Sequence, residues 1–125
     1  MSLTIQKSLT FTEALNDLSE IVYKNATNKG FHDSDHSRSA VDNYAIWTAN
    51  IHGETSELWE AARKGQLLKP CDKDVDLTCE EEELADIIIR ALDTARARNI
   101  NIGRAVIAKH EYNTTRSHKH GGKLA

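Results

Sequence analysis

The sequence predicts an all-α, four-helix, bundle-like domain, on three observations. One proline and six glycines in 125 residues are too few punctuators for the many short strands of an all-β chain. Apolar residues recur at helical spacing in four stretches. Each stretch is bounded by residues that start or stop helices. With 39% hydrophobic residues the chain fills one modest core, so residues 1–125 read as a single domain.

The first helix is expected from about Thr10, where Thr10-Phe11-Thr12-Glu13 has capping-box spacing. It carries Leu15, Leu18, Ile21 and Val22 on one face and stops at Gly30. Phe31 to Ser39 reads as a loop. The second helix spans about Ala40 to Lys64, with Tyr44, Trp47, Ile51, Leu58 and Ala62 on one side and Gly65 as its stop. Gln66 to Leu77, with Pro70 and alternating Asp and Lys, reads as a solvated connection. Thr78-Cys79-Glu80-Glu81 offers a second capping box. It opens a third helix over about Cys79 to Arg98, whose expected core face is Leu84, Ile88, Ala91 and Ala95. Asn101 caps a fourth helix to roughly Ser117, with Ile102 and Val106 inward.

Charge is nearly balanced overall, 19 acidic against 16 basic residues. A net charge of -3 excludes the general cationic footprint of a nucleic-acid binder, and no nucleic-acid polymer is expected as a partner. The distribution is uneven: nine acids lie between Asp72 and Asp93, whereas from Arg96 onward there are seven basic residues and one acid, Glu111. No apolar run approaches the roughly 20 residues of a membrane helix. The first residues lack the apolar core of a signal peptide, so the expected location is the cytoplasm, with no membrane partner. Cys71 and Cys79 lack the close pairing of a zinc site and read as bystanders.

Two pairs of carboxylates carry the chemistry. Glu54 and Glu57 are three apart on the second helix, and Glu83 and Asp86 repeat that spacing on the third. On a helical wheel Glu54 and Glu57 lie about 60° and about 120° from the centre of the Ile51/Leu58/Ala62 stripe, so they flank the core instead of opposing it. A lone Glu-x-x-Glu is most simply a solvated face, and Glu80 to Glu82 read as that. In that simpler reading Arg90, four residues after Asp86, forms a surface ion pair with it. Two such pairs on successive helices point instead to a metal site, because facing like charges repel without a cation. All-oxygen ligation suits Mg²⁺ or Mn²⁺, ions that commonly work on phosphates.

Lys109, Asn113 and Arg116 continue the line of Ile102 and Val106 on the fourth helix. Two cations with an amide between them suit an anion, although cations at a helix C-terminus are also favoured by the dipole alone. His32, His36, His118 and His120 fall in loops or tail and make poor zinc ligands. His52 and His110 read as packed or solvent-facing helix residues. Phe31, Tyr44 and Trp47 can stack on a base, though core filling is the commoner use of such rings.

Ile51-His52-Gly53-Glu54-Thr55-Ser56-Glu57-Leu58, Glu83-Leu84-Ala85-Asp86, Lys109-His110-Glu111-Tyr112-Asn113-Thr114-Thr115-Arg116 and His120-Gly121-Gly122-Lys123, in this order and spacing, resemble the MazG-like nucleoside triphosphate pyrophosphohydrolases. The similarity covers most of the chain beyond about Thr12. It differs at Gly53 and Asn50, where many relatives carry a further Glu and a Lys. The resemblance implies an all-α MazG-type domain that assembles as a homo-oligomer, dimer or tetramer, and uses Mg²⁺ to split a nucleotide between its α- and β-phosphates. It implies Glu54, Glu57, Glu83 and Asp86 as metal ligands and Lys109, Asn113, Arg116 and Lys123 as substrate contacts.

The expected function is therefore conversion of a nucleoside triphosphate and water to the monophosphate and diphosphate, in the service of nucleotide-pool house-cleaning. Glu57 is the candidate catalytic proton acceptor. The alternative is a non-catalytic helical module that binds nucleotides or a protein and keeps the carboxylates as a structural metal site. Oligomerisation is also expected from the third helix, where Ile87, Ile88, Ile89 and Leu92 cover more than half the circumference.

Overall fold

The structure is a computed structural model, and it describes residues 3–118. Among these residues four helices carry the fold: α1 (Ile5–Asn28), α2 (Ala40–Arg63), α3 (Cys79–Ala97) and α4 (Ile102–Thr114). A short 3-10 turn forms at Asp35–Ser37. No strand forms among the described residues, and the α2–α3 connection closes on itself through an isolated bridge between Pro70 and Thr78. No described helix is long and apolar enough to cross a membrane. Both cysteines are free thiols.

Helix starts follow side-chain caps. The Ser39 and Asn101 side chains accept from the N–H groups of Asp42 and Arg104. Thr78 and Glu81 form the reciprocal capping box, at 3.1 and 3.0 Å. The first helix departs from the sequence reading. It begins at Ile5, where the Thr4 hydroxyl accepts from the Lys7 N–H, and Thr10 lies inside it. Thr10 donates its hydroxyl to the Gln6 carbonyl at 3.0 Å, the back-bond by which a threonine satisfies itself within a helix.

Three helices end in one way. After α1 the N–H of Gly30 reaches Thr27 and that of Phe31 reaches Ala26. Gly65 and Gln66 repeat the pattern after α2, and Asn99 and Ile100 after α3. These are Schellman ends, and their left-handed residue is Gly30 at φ +86°, Gly65 at +68° and Asn99 at +55°. The stops expected at Gly30 and Gly65 are present. Asn99 does the same work because asparagine tolerates this conformation better than most residues.

The helices pack in the spatial order α2, α3, α1, α4, with α3 gripped between α2 and α1 and with α4 laid mainly on α1. α2 and α3 run antiparallel: Tyr44 meets Arg98 at one end and Glu54 meets Arg90 further along. α4 is fastened to α1 by Asn16, whose amide oxygen accepts from the Gly103 N–H at 2.8 Å. A second tie joins the Leu3 N–H to Glu111. Gly103 permits this approach, since a Cβ there would stand 2.3 Å from the Thr12 carbonyl oxygen.

This open order leaves a small core in one chain, with Trp47, Leu92 and Ala95 its buried apolar residues. The expected core face of α3 is therefore only partly inward. Ala95 is buried, Ala91 is exposed, and Leu84 and Ile88 are 46% and 55% exposed. On α1, Leu15 and Val22 are half-buried, whereas Leu18 and Ile21 face out. On α4, Ile102 is half-buried and Val106 exposed. The chain exposes 9159 Å², over a third more than the about 6,700 Å² of a compact monomer of this size.

Candidate carboxylate site

The acids of α2 and α3 converge where these helices cross. Glu54 and Glu57 lie one turn apart on α2, and Glu83 approaches from α3, each offering an oxygen within 4.8 Å of the others. Glu83 lies against Glu57, with an oxygen of each within 4.8 Å, and its pKa is pushed up to about 7. Burial is the main cause, followed by the contact with Glu57 and the charges of Glu57, Glu82 and Glu54. Glu83 Oε2 is buried with no hydrogen-bond partner. Asp86 follows one turn along α3, its pKa raised by burial and then by Glu54 and Glu82, with Arg90 and Lys73 opposing.

Two cations border the acids. Arg90 donates to one oxygen of Glu54 from Nε at 3.1 Å and from a terminal nitrogen at 3.0 Å. The solvated-face reading of the sequence would pair it with Asp86 at i−4. The structure turns it across to α2, where the Glu54 side chain, 12% exposed, offers a better shielded acceptor. On the other side Lys73 of the α2–α3 connection sits 2.8 Å from Glu82 and 2.8 Å from Asp72, which raises its pKa.

A cleft of about 440 Å³ opens beside the acids, between α1 and α3. Glu54, Asp86 and Arg90 form its polar end, and Ile21, Ala26 and Ile89 its apolar floor. Phe31 stands on its rim, 69% exposed, placed there by the Schellman end of α1. Tyr44 and Trp47 have the commoner fate of aromatics and pack edge to face, 5.4 Å apart.

Behind the rim lies a polar cluster that the sequence reading passed over. His32, 8% exposed, packs at a tilt against Tyr23, with ring centres 4.6 Å apart, and meets Trp47 at 6.2 Å. Its Nδ1 is bound to Asp35 and its Nε2 lies 2.8 Å from Asp93 of α3. Arg38 ties Asp35 to Asn43 of α2. Only the step from His32 to Asp35 was local enough to be seen in the sequence; Asp93 is 61 residues away.

The cations of α4 stand apart from the acids within one chain. Lys109 and Arg116 lie over the Tyr112 ring, 4.6 and 5.7 Å from its centre; Lys109 and Tyr112 belong to α4, which packs mainly against α1, whereas Arg116 follows it, because the fourth helix ends at Thr114 and not near Ser117. Asn113 is exposed on the same helix, and Lys123 lies outside the described residues. The structure thus brings together Glu54, Glu57, Glu83 and the adjoining Asp86, and does not bring Lys109, Asn113 or Arg116 to them.

The donor set suits a hard divalent cation. Several carboxylate oxygens meet at one place, one is buried without a partner, and burial followed by the neighbouring carboxylates raises Glu83 and Asp86. In comparisons with protein-family models, curated proteins and solved structures, the chain matches none.

Proposed function

We propose that this chain is a Mg²⁺-dependent nucleoside triphosphate pyrophosphohydrolase of the MazG-like kind, with Mn²⁺ able to substitute. The observation that carries the reading is the meeting of Glu54, Glu57 and Glu83 from two helices within 4.8 Å, with a buried, unpartnered oxygen on Glu83. Glu54, Glu57, Glu83 and Asp86 would hold the cation. Bound there, Mg²⁺ supplies charge for the phosphoryl oxygens and lowers the pKa of water.

The chain's own part is positioning and proton transfer. Glu57, exposed and beside Glu83, accepts the proton of the attacking water. The water oxygen bonds to the α-phosphorus, the bridging bond to the β-phosphate breaks, and the monophosphate and diphosphate are the products. The nucleoside half occupies the adjoining cleft, whose apolar floor suits a flat ring and whose polar end is shared with the acids.

The working form in this reading is a homo-oligomer. Leu84, Ile88 and Trp59 are open to solvent in one chain. The surplus of about 2,500 Å² over a compact monomer is at the upper end of what an obligate interface removes from each partner. A second chain also offers a way to bring Lys109, Asn113 and Arg116 to the phosphates, which α4 does not reach within its own chain.

The test is incubation of the purified protein with mixed ribo- and deoxyribonucleoside triphosphates and Mg²⁺, with diphosphate and monophosphate measured together. Equal release of both, abolished by a chelator, is the expected result. Nucleotide binding without release would select the alternative of a non-catalytic module.

A further inference from the structure

His32 is a buried ring with a carboxylate at each nitrogen, Asp35 at Nδ1 and Asp93 at Nε2. A neutral imidazole has one N–H and would leave a lone pair facing an anion, so this geometry calls for the imidazolium, with a donor for each side. The groups around it agree. From α1 it meets the Tyr23 ring, whose centre lies 5.7 Å from the Arg96 guanidinium, from α2 Trp47, from its own loop Asp35, itself paired with Arg38, and from α3 Asp93. Two carboxylates against the imidazolium and Arg38 leave the cluster neutral. Burial alone would lower the His32 pKa, but the hydrogen bonds and charges of Asp35 and Asp93 outweigh it and the net direction is upward.

The clamp reaches the cleft at two points. Asp93 and Phe31 both line it, and Phe31 is the residue before His32. Fixing the imidazole therefore fixes a carboxylate acceptor and an aromatic face on one wall. Asp93 gives one oxygen to His32 and keeps acceptor capacity on the other.

Resting on the nucleotide reading above, we propose that His32 is a positioning residue and Asp93 a specificity-determining one. The clamp presents Asp93 and Phe31 to the nucleobase, and the cleft selects bases that carry an exocyclic amino group. Phe31 supplies the stacking face and Asp93 accepts from the amino group, as carboxylates accept from the cytosine amine elsewhere. Uracil and thymine are disfavoured because their ring N–H is flanked by carbonyls on both sides, whose lone pairs meet the carboxylate.

The experiment compares wild type, Asp93→Asn, His32→Gln and Phe31→Ala. It measures kcat and KM on the cytidine, adenosine, guanosine and uridine triphosphates with Mg²⁺, and monophosphate binding by calorimetry. Wild type should favour the amino-bearing bases over uracil at least fivefold in kcat/KM. Asp93→Asn and His32→Gln should each raise KM and the monophosphate Kd for the amino-bearing bases at least fivefold, with kcat within twofold, and erase the preference. Phe31→Ala changes an exposed ring, keeps the fold, and should raise KM for all bases; it carries the test if His32→Gln does not fold. Wild type that hydrolyses without base preference, or Asp93→Asn with unchanged KM and Kd, overturns this proposal and leaves the enzyme reading standing. Wild type that neither hydrolyses nor binds any of these nucleotides overturns both.

Discussion

Arg90 on α3 spends two of its donors on a single oxygen of Glu54 on α2, at 3.1 and 3.0 Å, instead of pairing with Asp86 on its own helix. The acids between α2 and α3 are thus partly offset within the chain: Glu54 by a guanidinium, Glu82 by Lys73, and Glu83 by a retained proton as its pKa approaches 7. In the proposed reading, a divalent cation held by these carboxylates would displace that proton and complete the charge balance at the crossing of the two helices.

Glu57→Gln and Asp86→Asn keep side-chain shape and remove charge. Each is expected to abolish most Mg²⁺-dependent turnover while the melting temperature without metal stays level or rises, because carboxylate repulsion is relieved. Adding Mg²⁺ should raise the melting temperature of wild type and leave that of the variants nearly unmoved. Either variant retaining full activity would remove its residue from the metal site.

The pH dependence has a defined sign. Glu83 binds its proton more tightly folded than unfolded, with a pKa of about 7 against an ordinary 4.5. Between those values the unfolded chain holds fewer protons, so its contribution to stability is full below about pH 4.5 and is lost as pH rises through about 7. Metal-free protein is expected to lose melting temperature over this window, and Glu83→Gln to flatten the slope. A wild-type profile that rises from pH 5 to 7 and is unchanged by the substitution would contradict the assignment.

The sequence made the helices legible because caps and stops are local. Ser39, Thr78 and Asn101 begin three of them, and Gly30 and Gly65 end two. It misplaced the start of α1: Thr10 has capping-box spacing to Glu13, but Thr4 is the cap used, and Ile5 and Leu9, four apart on one face, carry the helix back to it. Glu54, Glu57 and Glu83 were readable because their spacing puts each pair on one helix face. The His32 clamp was not, because its partner Asp93 is set by how the α1–α2 loop folds onto α3. The stripe of Leu84, Ile88 and Ala91 was visible as apolar, but periodicity says which residues are to be covered and not which molecule covers them.

That stripe gives the third prediction. Ile88, 55% exposed in one chain, is expected to be buried between copies. Light scattering should give at least twice the chain mass at micromolar concentration. Ile88→Glu should shift the protein to monomer, since a carboxylate buried at an interface without a partner is strongly unfavourable. A wild-type monomer would leave the apolar face of α3 without this explanation.

The last prediction concerns Arg116, which lies just past the end of α4, over the Tyr112 ring. If the fourth helix of a neighbouring copy delivers this guanidinium to the phosphates, its removal costs a charge-assisted contact and little else. Arg116→Ala should then lower kcat/KM at least about tenfold, a contact worth about 1.5–3 kcal/mol, with the melting temperature close to that of the parent. Delivery in trans has a further consequence. Mixed oligomers of Arg116→Ala and Glu57→Gln contain some sites built from the intact acids of one chain and the intact Arg116 of the other. Mixing the two impaired variants under conditions that exchange subunits should therefore restore activity that neither has alone, whereas a site completed within one chain gives no recovery. Unchanged kinetics with a lowered melting temperature would instead assign the Arg116–Tyr112 contact to the stability of α4.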